Sequence, residues 1–427
     1  MTRSLVRQQA GAATLIVVMM LFLVMALLAA YANRGQLFEQ RVSGTYGRAA
    51  LAQQAAEAGV EWTLAQLNGT AIDNSCKPVA AGGQRFVDRY LSIDGADRSF
   101  TWLNGEAKGV VDCARDAENG SWSCRCPAAD SKHAVRDSMQ AEELTPSFAI
   151  LLPKSKGAGT LELTIQGCTD SSPDRCLPDN LFDLTKAQLA TIKTSALVAL
   201  VSAVRTPPSM PLVVKGDIQS AGAGLGLHNT DPKSGGLLLQ MGGNWPDKLD
   251  TRLDTVPGAS LSQAVVHDAT LNDPKTDVFK MYMGATSARY VNHPALRKLA
   301  CDGDCASALE DAYAAGQRIV WIAGDLRISS NKVLGTLDDP MLIVATGAVA
   351  LTGPFQINGM LVAQGDLAWT NTSGMPSLIN GIVLVGGAMA TQGAVDIVYQ
   401  QKIANQLRNR MGSFVRVPGG WTDSPPL

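Results

Sequence analysis

The residues of this chain with chemistry to offer are eight cysteines, four histidines and a few recurring aspartates. Cys76, Cys113, Cys124, Cys126, Cys168, Cys176, Cys301 and Cys305 form an even set, all downstream of an apolar amino-terminal segment. Such a set reads as disulfides in an oxidising compartment. Cys168 with Cys176 and Cys301 with Cys305 are the short local loops. Cys76, Cys113, Cys124 and Cys126 are left to pair among themselves, in an order that spacing does not decide. A zinc site from Cys113, Cys124, Cys126 and His133 is the rival use. Structural zinc sites place paired ligands about two to four residues apart on two separate turns. A Cys-x-Cys with one distant cysteine and a histidine matches that poorly, so no metal is expected.

Nothing else assembles into a reaction centre. His133, His228, His267 and His293 stand beside no serine or cysteine in a nucleophile turn, and they read as surface or internally satisfied groups. Gly222-Ala223-Gly224-Leu225-Gly226 lacks the third-glycine spacing of a dinucleotide fingerprint and reads as a loop. Asp302-Gly303-Asp304 lacks the remaining ligands of a calcium loop. Asp217, Asp325 and Asp366 each follow a glycine at the same point of a repeat, which suits turn stabilisation better than paired-carboxylate hydrolysis. The reading is non-enzymatic, with no cofactor. A net charge of −2 and the lack of a basic block with interleaved aromatics point to no nucleic-acid partner.

The positioning elements begin with an uncharged run from Gly11 to Asn33, preceded by Arg3 and Arg7. About twenty residues at 1.5 Å rise match a hydrocarbon core of roughly 30 Å, and the arginines keep the amino end cytoplasmic. A cleaved secretory signal, with Ala30-Tyr31-Ala32 as its cutting site, fits less well because the apolar run is too long. Beyond Arg34 apolar residues recur at helical spacing, at Phe38, Val42, Tyr46, Ala49, Ala56, Val60, Leu64 and Leu67. One helix is therefore expected over 12–67, transmembrane at 12–33, with Phe38, Val42 and Tyr46 as the stripe packed beneath a globular domain. Gly35, Gly44 and Gly47 are its weak points.

Residues 68–205 read as a small α/β unit with strands at Arg85–Leu91, Phe100–Leu103, Phe148–Leu152 and Leu161–Ile165, the last two joined through Lys156-Gly157-Ala158-Gly159. Residues 206–427 repeat an apolar-glycine-apolar phrase around Gly216, Gly324, Gly347, Gly365 and Gly387. The last four of these are spaced by 23, 18 and 22 residues, and Asn358-Gly359 recurs as Asn380-Gly381. This spacing predicts a stacked β-solenoid, with an antiparallel sandwich as the competing architecture. Residues 256–316 read as an insertion into it, and Gln400–Met411 with the tail Phe414–Trp421 as its cap. The fold class is α+β: a long helix, a small antiparallel headgroup and a mainly-β carboxy-terminal domain.

Two stretches carry a family resemblance. Gly11-Ala12-Ala13-Thr14-Leu15-Ile16-Val17-Val18-Met19 resembles the class III signal of type IV pilins and pseudopilins. Ala50-Leu51-Ala52-Gln53-Gln54-Ala55-Ala56-Glu57-Ala58-Gly59-Val60-Glu61 resembles the alanine-rich helix of PilX-type minor pilins, and the tail resembles the Pro-Gly-Ser-Trp ending of longer members. The resemblance implies a leader over 1–11 cut by prepilin peptidase after Gly11, or after Ala12. It also implies a pilin-like headgroup over 68–205. Leu15, Ile16, Val17, Leu21, Phe22 and Leu28 would serve lipid first and a filament core later. Major pilins carry a glutamate at the fifth mature position to pair with a neighbour's amine; here Ile16 or Val17 stands there. A buried charge without that neighbour is costly, and a tip subunit has none above it. The family therefore implies a minor pilin that primes assembly and sits at or near the filament tip, exchanging the inner membrane for the cell surface. Its partners would be other minor pilins, the major pilin, prepilin peptidase, the inner-membrane assembly platform and a tip adhesin. The K-type minor pseudopilin of type II secretion and an anchored or secreted solenoid acting on carbohydrate are the rival readings.

Overall fold

The computed structural model describes residues 12–103, 111–116, 119–127, 145–171, 189–221, 224–245 and 252–424. The leader 1–11 with Gly11, His133 and Cys176 lie outside them. A single helix, α1, runs from Ala12 to Leu67. It is followed by a mainly-β region that divides into an antiparallel and a parallel module.

The antiparallel module is a six-stranded sheet in the order 412–424, 191–202, 160–168, 147–157, 111–115, 122–125. It packs on the second half of α1, whose buried stripe is Ala52, Ala55, Ala56, Val60 and Thr63. That spacing is one helix face. Contact is close because glycines face it: a Cβ on Gly167 would stand 2.1 Å from the Ala52 carbonyl oxygen, and one on Gly59 2.6 Å from Ile165. The sequence 85–91 is not one strand. Gln84–Arg85 is a short strand and Phe86–Tyr90 a helical turn, because Phe86 and Tyr90, four apart, both enter the core while Arg85 pairs with Asp88 at 2.6 Å.

The parallel module holds two sheets. In the larger, strands 296–298, 319–322, 341–345, 356–363 and 378–385 follow one another in register, with Val320 on Ile343, Ile343 on Leu361, and Leu361 on Val383. In the smaller, 326–328, 349–352, 367–371 and 389–393 do the same. These partners are parallel, which an antiparallel sandwich does not provide. Val320, Ile343, Leu361 and Val383 face the smaller sheet across one core. Trp321, Leu342, Val344, Met360, Val362, Ile382 and Leu384 enter a second core on the opposite face. Strands buried on both faces read as unbroken apolar strings, and these do.

The glycines of the repeat are needed chiefly for close approach. Each aspartate that follows one reaches into the next coil: Asp325 Oδ1 accepts the Ala348 amide at 2.8 Å and Asp366 Oδ1 the Ala388 amide at 2.8 Å. A Cβ on Gly347 would lie 2.2 Å from that Asp325 oxygen, and one on Gly387 2.1 Å from Asp366. Within the strands, Asn380 Nδ2 donates to Asn358 Oδ1 at 2.9 Å.

Chain order and stacking order differ. Strand 212–214 lies between 378–385 and 239–241, and 239–241 carries 265–267 on its other side. The chain thus enters the stack at its middle and builds outward to one end. It then crosses the outer face through helices Val278–Met283 and Ser287–Tyr290, and restarts at the opposite end with 296–298. Residues 256–316 are therefore not simply an insertion: 265–267 and 296–298 are sheet strands, joined by that crossing. Leu225 and Gly226, read as loop, begin strand Leu225–His228, which the ladder to 395–398 holds extended.

The capping elements also differ from expectation. Helix Gln401–Asn409 buries Ile403, Ala404 and Leu407 on the outer face, not at an end of the stack. The tail leaves the repeats altogether, and Gly412–Ser424 pairs antiparallel with 191–202, Gly412 opposite Ser202. Its alternating apolar residues fit a half-buried antiparallel edge; Phe414 enters the core around α1. The parallel module is thus emitted between two neighbouring strands of the antiparallel sheet. Helix Ala306–Ala314 covers the stack beside 326–328, with Leu309 in the inner core and the Cys305 amide donating to the Arg327 carbonyl at 2.8 Å.

Candidate assembly interface

The first half of α1 has no packing partner among the described residues. Leu15, Ile16, Val17, Leu21, Phe22 and Leu28 are all exposed, Phe22 by 66 %. Residues from Thr14 onward are long and apolar enough to cross a membrane, and none of the most apolar stretch is buried. Burying one such side chain is worth about 1.5–3 kcal/mol, so a row of them requires lipid or other subunits. The helix is compatible with a single-pass anchor. Ala12 opens it.

Phe38, Val42 and Tyr46 do not form the stripe beneath the globular modules. Phe38 is 68 % and Tyr46 74 % exposed, because the sheet first reaches the helix at Ala52. Periodicity identified an apolar face without identifying its cover. Gly35, Gly44 and Gly47 lie in the same uncovered part, and a Cβ at any of them would meet nothing within 4 Å.

At its far end α1 is clasped. Asn68 Nδ2 donates to the Phe414 carbonyl at 2.8 Å, and the Phe414 amide donates to Asn68 Oδ1 at 2.8 Å. From the parallel module, Arg297 donates to the Asn68 carbonyl at 2.8 Å, placing a cation at the helix carboxyl end where the dipole favours it. The Ala71 amide donates to the Ala315 carbonyl at 2.9 Å, and Asp339 bridges Arg318 at 2.6 Å and Arg85 at 3.6 Å. Desolvation would raise the Asp339 pKa, yet hydrogen bonding to Arg318 and the nearby Arg85 charge hold it below its ordinary value. No sequence signal linked these residues, since each contact joins distant parts of the chain.

The seven described cysteines are oxidised. Disulfides join Cys76 to Cys126, Cys113 to Cys124 and Cys301 to Cys305. Cys168 is disulfide-bonded as well; its proposed partner Cys176 lies outside the described residues. Oxidised sulfurs are not thiolate ligands, which removes the zinc reading of Cys113, Cys124 and Cys126. Buried Arg89 organises the first of these loops by donating to the carbonyls of Ile72, Asp73 and Cys126.

The histidines have separate settings. His228 contacts Asp254 and Asp396, and His267 lies on an exposed edge strand. His293 shares a hydrogen bond with Ser413, whose hydroxyl also accepts the Ala295 amide at 2.7 Å. Ser413 is fully buried, and burial pushes the His293 pKa down to about 4. A neutral imidazole sealed behind a buried serine ties the crossing segment to the returning strand. Asp217, Asp325 and Asp366 each accept a backbone amide of the adjoining coil.

Comparison with known proteins bears on the helix. Residues 10–61 match the PilX N-terminal family. No curated protein matches the chain. The competence-associated pilin ComZ from Thermus thermophilus is 12 % identical and aligns over 88 % of this chain and 97 % of its own, with a TM-score of 0.22, too low to define a shared fold. The similarity to the PilX N-terminal family thus covers residues 10–61, the exposed half of α1 and the start of its docked half.

Proposed function

We propose that this protein is a non-enzymatic minor pilin of a type IV pilus that primes assembly and stays at or near the filament tip. The observation that carries the reading is the PilX N-terminal match on a helix whose leading half is apolar and uncovered. Such a half-helix is stable first in lipid and then among the equivalent helices of other subunits. Ile16, or Val17, in place of the major-pilin glutamate suits a subunit that docks on no amine above it. The six-stranded sheet acts as the pilin headgroup, and the parallel module, a β-solenoid, projects from it toward a surface or tip adhesin.

Two features favour this over its rivals. A K-type pseudopilin would carry a mainly helical second domain, whereas the regular elements described in 212–398 are mostly strands, with a few short helices. A carbohydrate-active solenoid needs converging carboxylates, and the recurring aspartates each hold a neighbouring coil instead.

Mass-spectrometric mapping of the amino terminus of membrane-extracted protein tests the first step: a mature chain beginning at Ala12 or Ala13 is expected, and one beginning beyond Ala30 overturns it. Deleting the gene tests the second. Fewer surface pili are expected, restored by the intact gene, and an unchanged pilus count refutes priming.

A further inference from the structure

One joint in the parallel module links coils that the chain does not place in succession. Leu212–Val214 sits on Val383–Val385, Ile218–Ala221 on Met389–Gln392, and Leu225–His228 on Val395–Val398. From 319 to 385 each coil rests on its own sequence neighbour, joined by a short connection. This seam brings together residues as far apart as His228 and Asp396, 168 positions. Ladder hydrogen bonds and side chains alone close it.

His228 stands on the seam with both ring nitrogens facing carboxylates. Nδ1 is 2.6 Å from Asp254 Oδ2, on the strand beyond, and Nε2 is 3.0 Å from Asp396 Oδ1, across the joint. Ionised carboxylates only accept hydrogen bonds, so both nitrogens must donate, and only imidazolium carries two N–H groups. Among the described residues the other charged group at the cluster is Arg252, which bonds Asp396 and donates to the Gly224 carbonyl at 3.0 Å. The Tyr399 amide donates to the His228 carbonyl at 2.8 Å. Space is tight: a Cβ on Gly226 would lie 2.9 Å from His228 Nε2. Hydrogen bonding to Asp396, and then to Asp254, raises the His228 pKa against the burial that lowers it.

We propose that His228 is a proton-operated clasp on this seam: as imidazolium it ties coil 212–228 to coil 378–398 and to Asp254 at once, and on deprotonation it lets go of one side. A histidine whose folded-state pKa is raised contributes its full stabilisation below the ordinary histidine range, and loses it as pH rises through the folded value. The seam is therefore tight in mildly acid surroundings and loosens toward alkaline pH, while coils 341–363, with no titrating group between them, do not respond.

Hydrogen exchange of the full-length chain in detergent micelles, read by mass spectrometry at pH 6 and pH 9 and corrected for intrinsic exchange, tests the clasp. Protection of peptides covering 212–221 and 225–228 should fall at least about tenfold between the two, the scale of one charge-assisted hydrogen bond, with 341–363 unchanged. His228→Gln should abolish the difference. Equal protection of the seam at both pH values, an equal fall at 341–363, or a pH response retained in H228Q would each overturn the proposal. Should H228Q fail to fold, the comparison of seam and 341–363 in the unaltered protein still decides.

Discussion

Along strand 191–202 of the antiparallel sheet, burial alternates from residue to residue, whereas all five residues of Met341–Ala345 in the parallel sheet are buried. The first sheet has α1 against one face and supplements that core with cross-links: Cys76–Cys126, Cys113–Cys124 and the four donor contacts of buried Arg89. The second is covered on both faces and is held by repetition, in which each coil presents the same backbone to the next. The antiparallel module therefore depends on a few irreplaceable links, and the parallel module on a few irreplaceable absences of side chain.

The sharpest way to break this contrast is Gly381→Ala. Gly381 has φ +136°, and a Cβ there would stand 1.9 Å from the Gly359 carbonyl oxygen. Backbone cannot yield as a flexible side chain can, so a loss of at least about 4–5 kcal/mol is expected, read as a lowered calorimetric transition of the parallel module. Melting at the unaltered temperature would mean that the coils do not touch as described. The counterpart is Cys76→Ser with Cys126→Ser, which opens a link spanning 50 residues. A loss of about 2–4 kcal/mol is expected, confined to hydrogen exchange of the antiparallel strands; equal loosening of 341–363 would show the two modules to be one cooperative unit.

A third effect concerns the junction. Burial lowers the His293 pKa to about 4 from an ordinary 6.5. A group whose proton is bound more weakly in the folded state favours folding fully above the unfolded value, and that stabilisation is lost as pH falls from about 6.5 toward 4. Acidification should thus weaken the tie between Ser413 and the crossing segment by about 3 kcal/mol, seen as increased exchange at 290–297 and 412–414. His293→Gln should remove the pH dependence. This sign is opposite to that at His228, so a single pH series separates the two sites.

Much of the parallel module was legible because its cause is local. Apolar strings around Gly324, Gly347, Gly365 and Gly387 recur at intervals that match the strand register, since one coil must end where its neighbour ends. The role of Asp325 and Asp366 in holding turns was legible for the same reason. What was not legible was contact between distant segments. Phe414 and Trp421 alternate with polar residues in a way that suits any half-buried strand, and nothing in that pattern names 191–202 as the partner. The apolar face of Phe38, Val42 and Tyr46 is real, but no described residue covers it. At 85–91 a β-like composition lost to the helical placement of Phe86 and Tyr90 in the core.

The linear order of residues by itself determined a membrane-length apolar helix, an oxidised cysteine set and a periodic strand region, because hydropathy, charge and spacing act over a few neighbouring residues. Only the tertiary structure decided that the last strand returns to the sheet it left at Ser202, that the first coil of the repeats closes onto the last, and that His228 and His293 occupy opposite electrostatic settings. Those outcomes depend on which surfaces remain to be buried once the local elements have formed, and that competition is settled only when the whole chain packs.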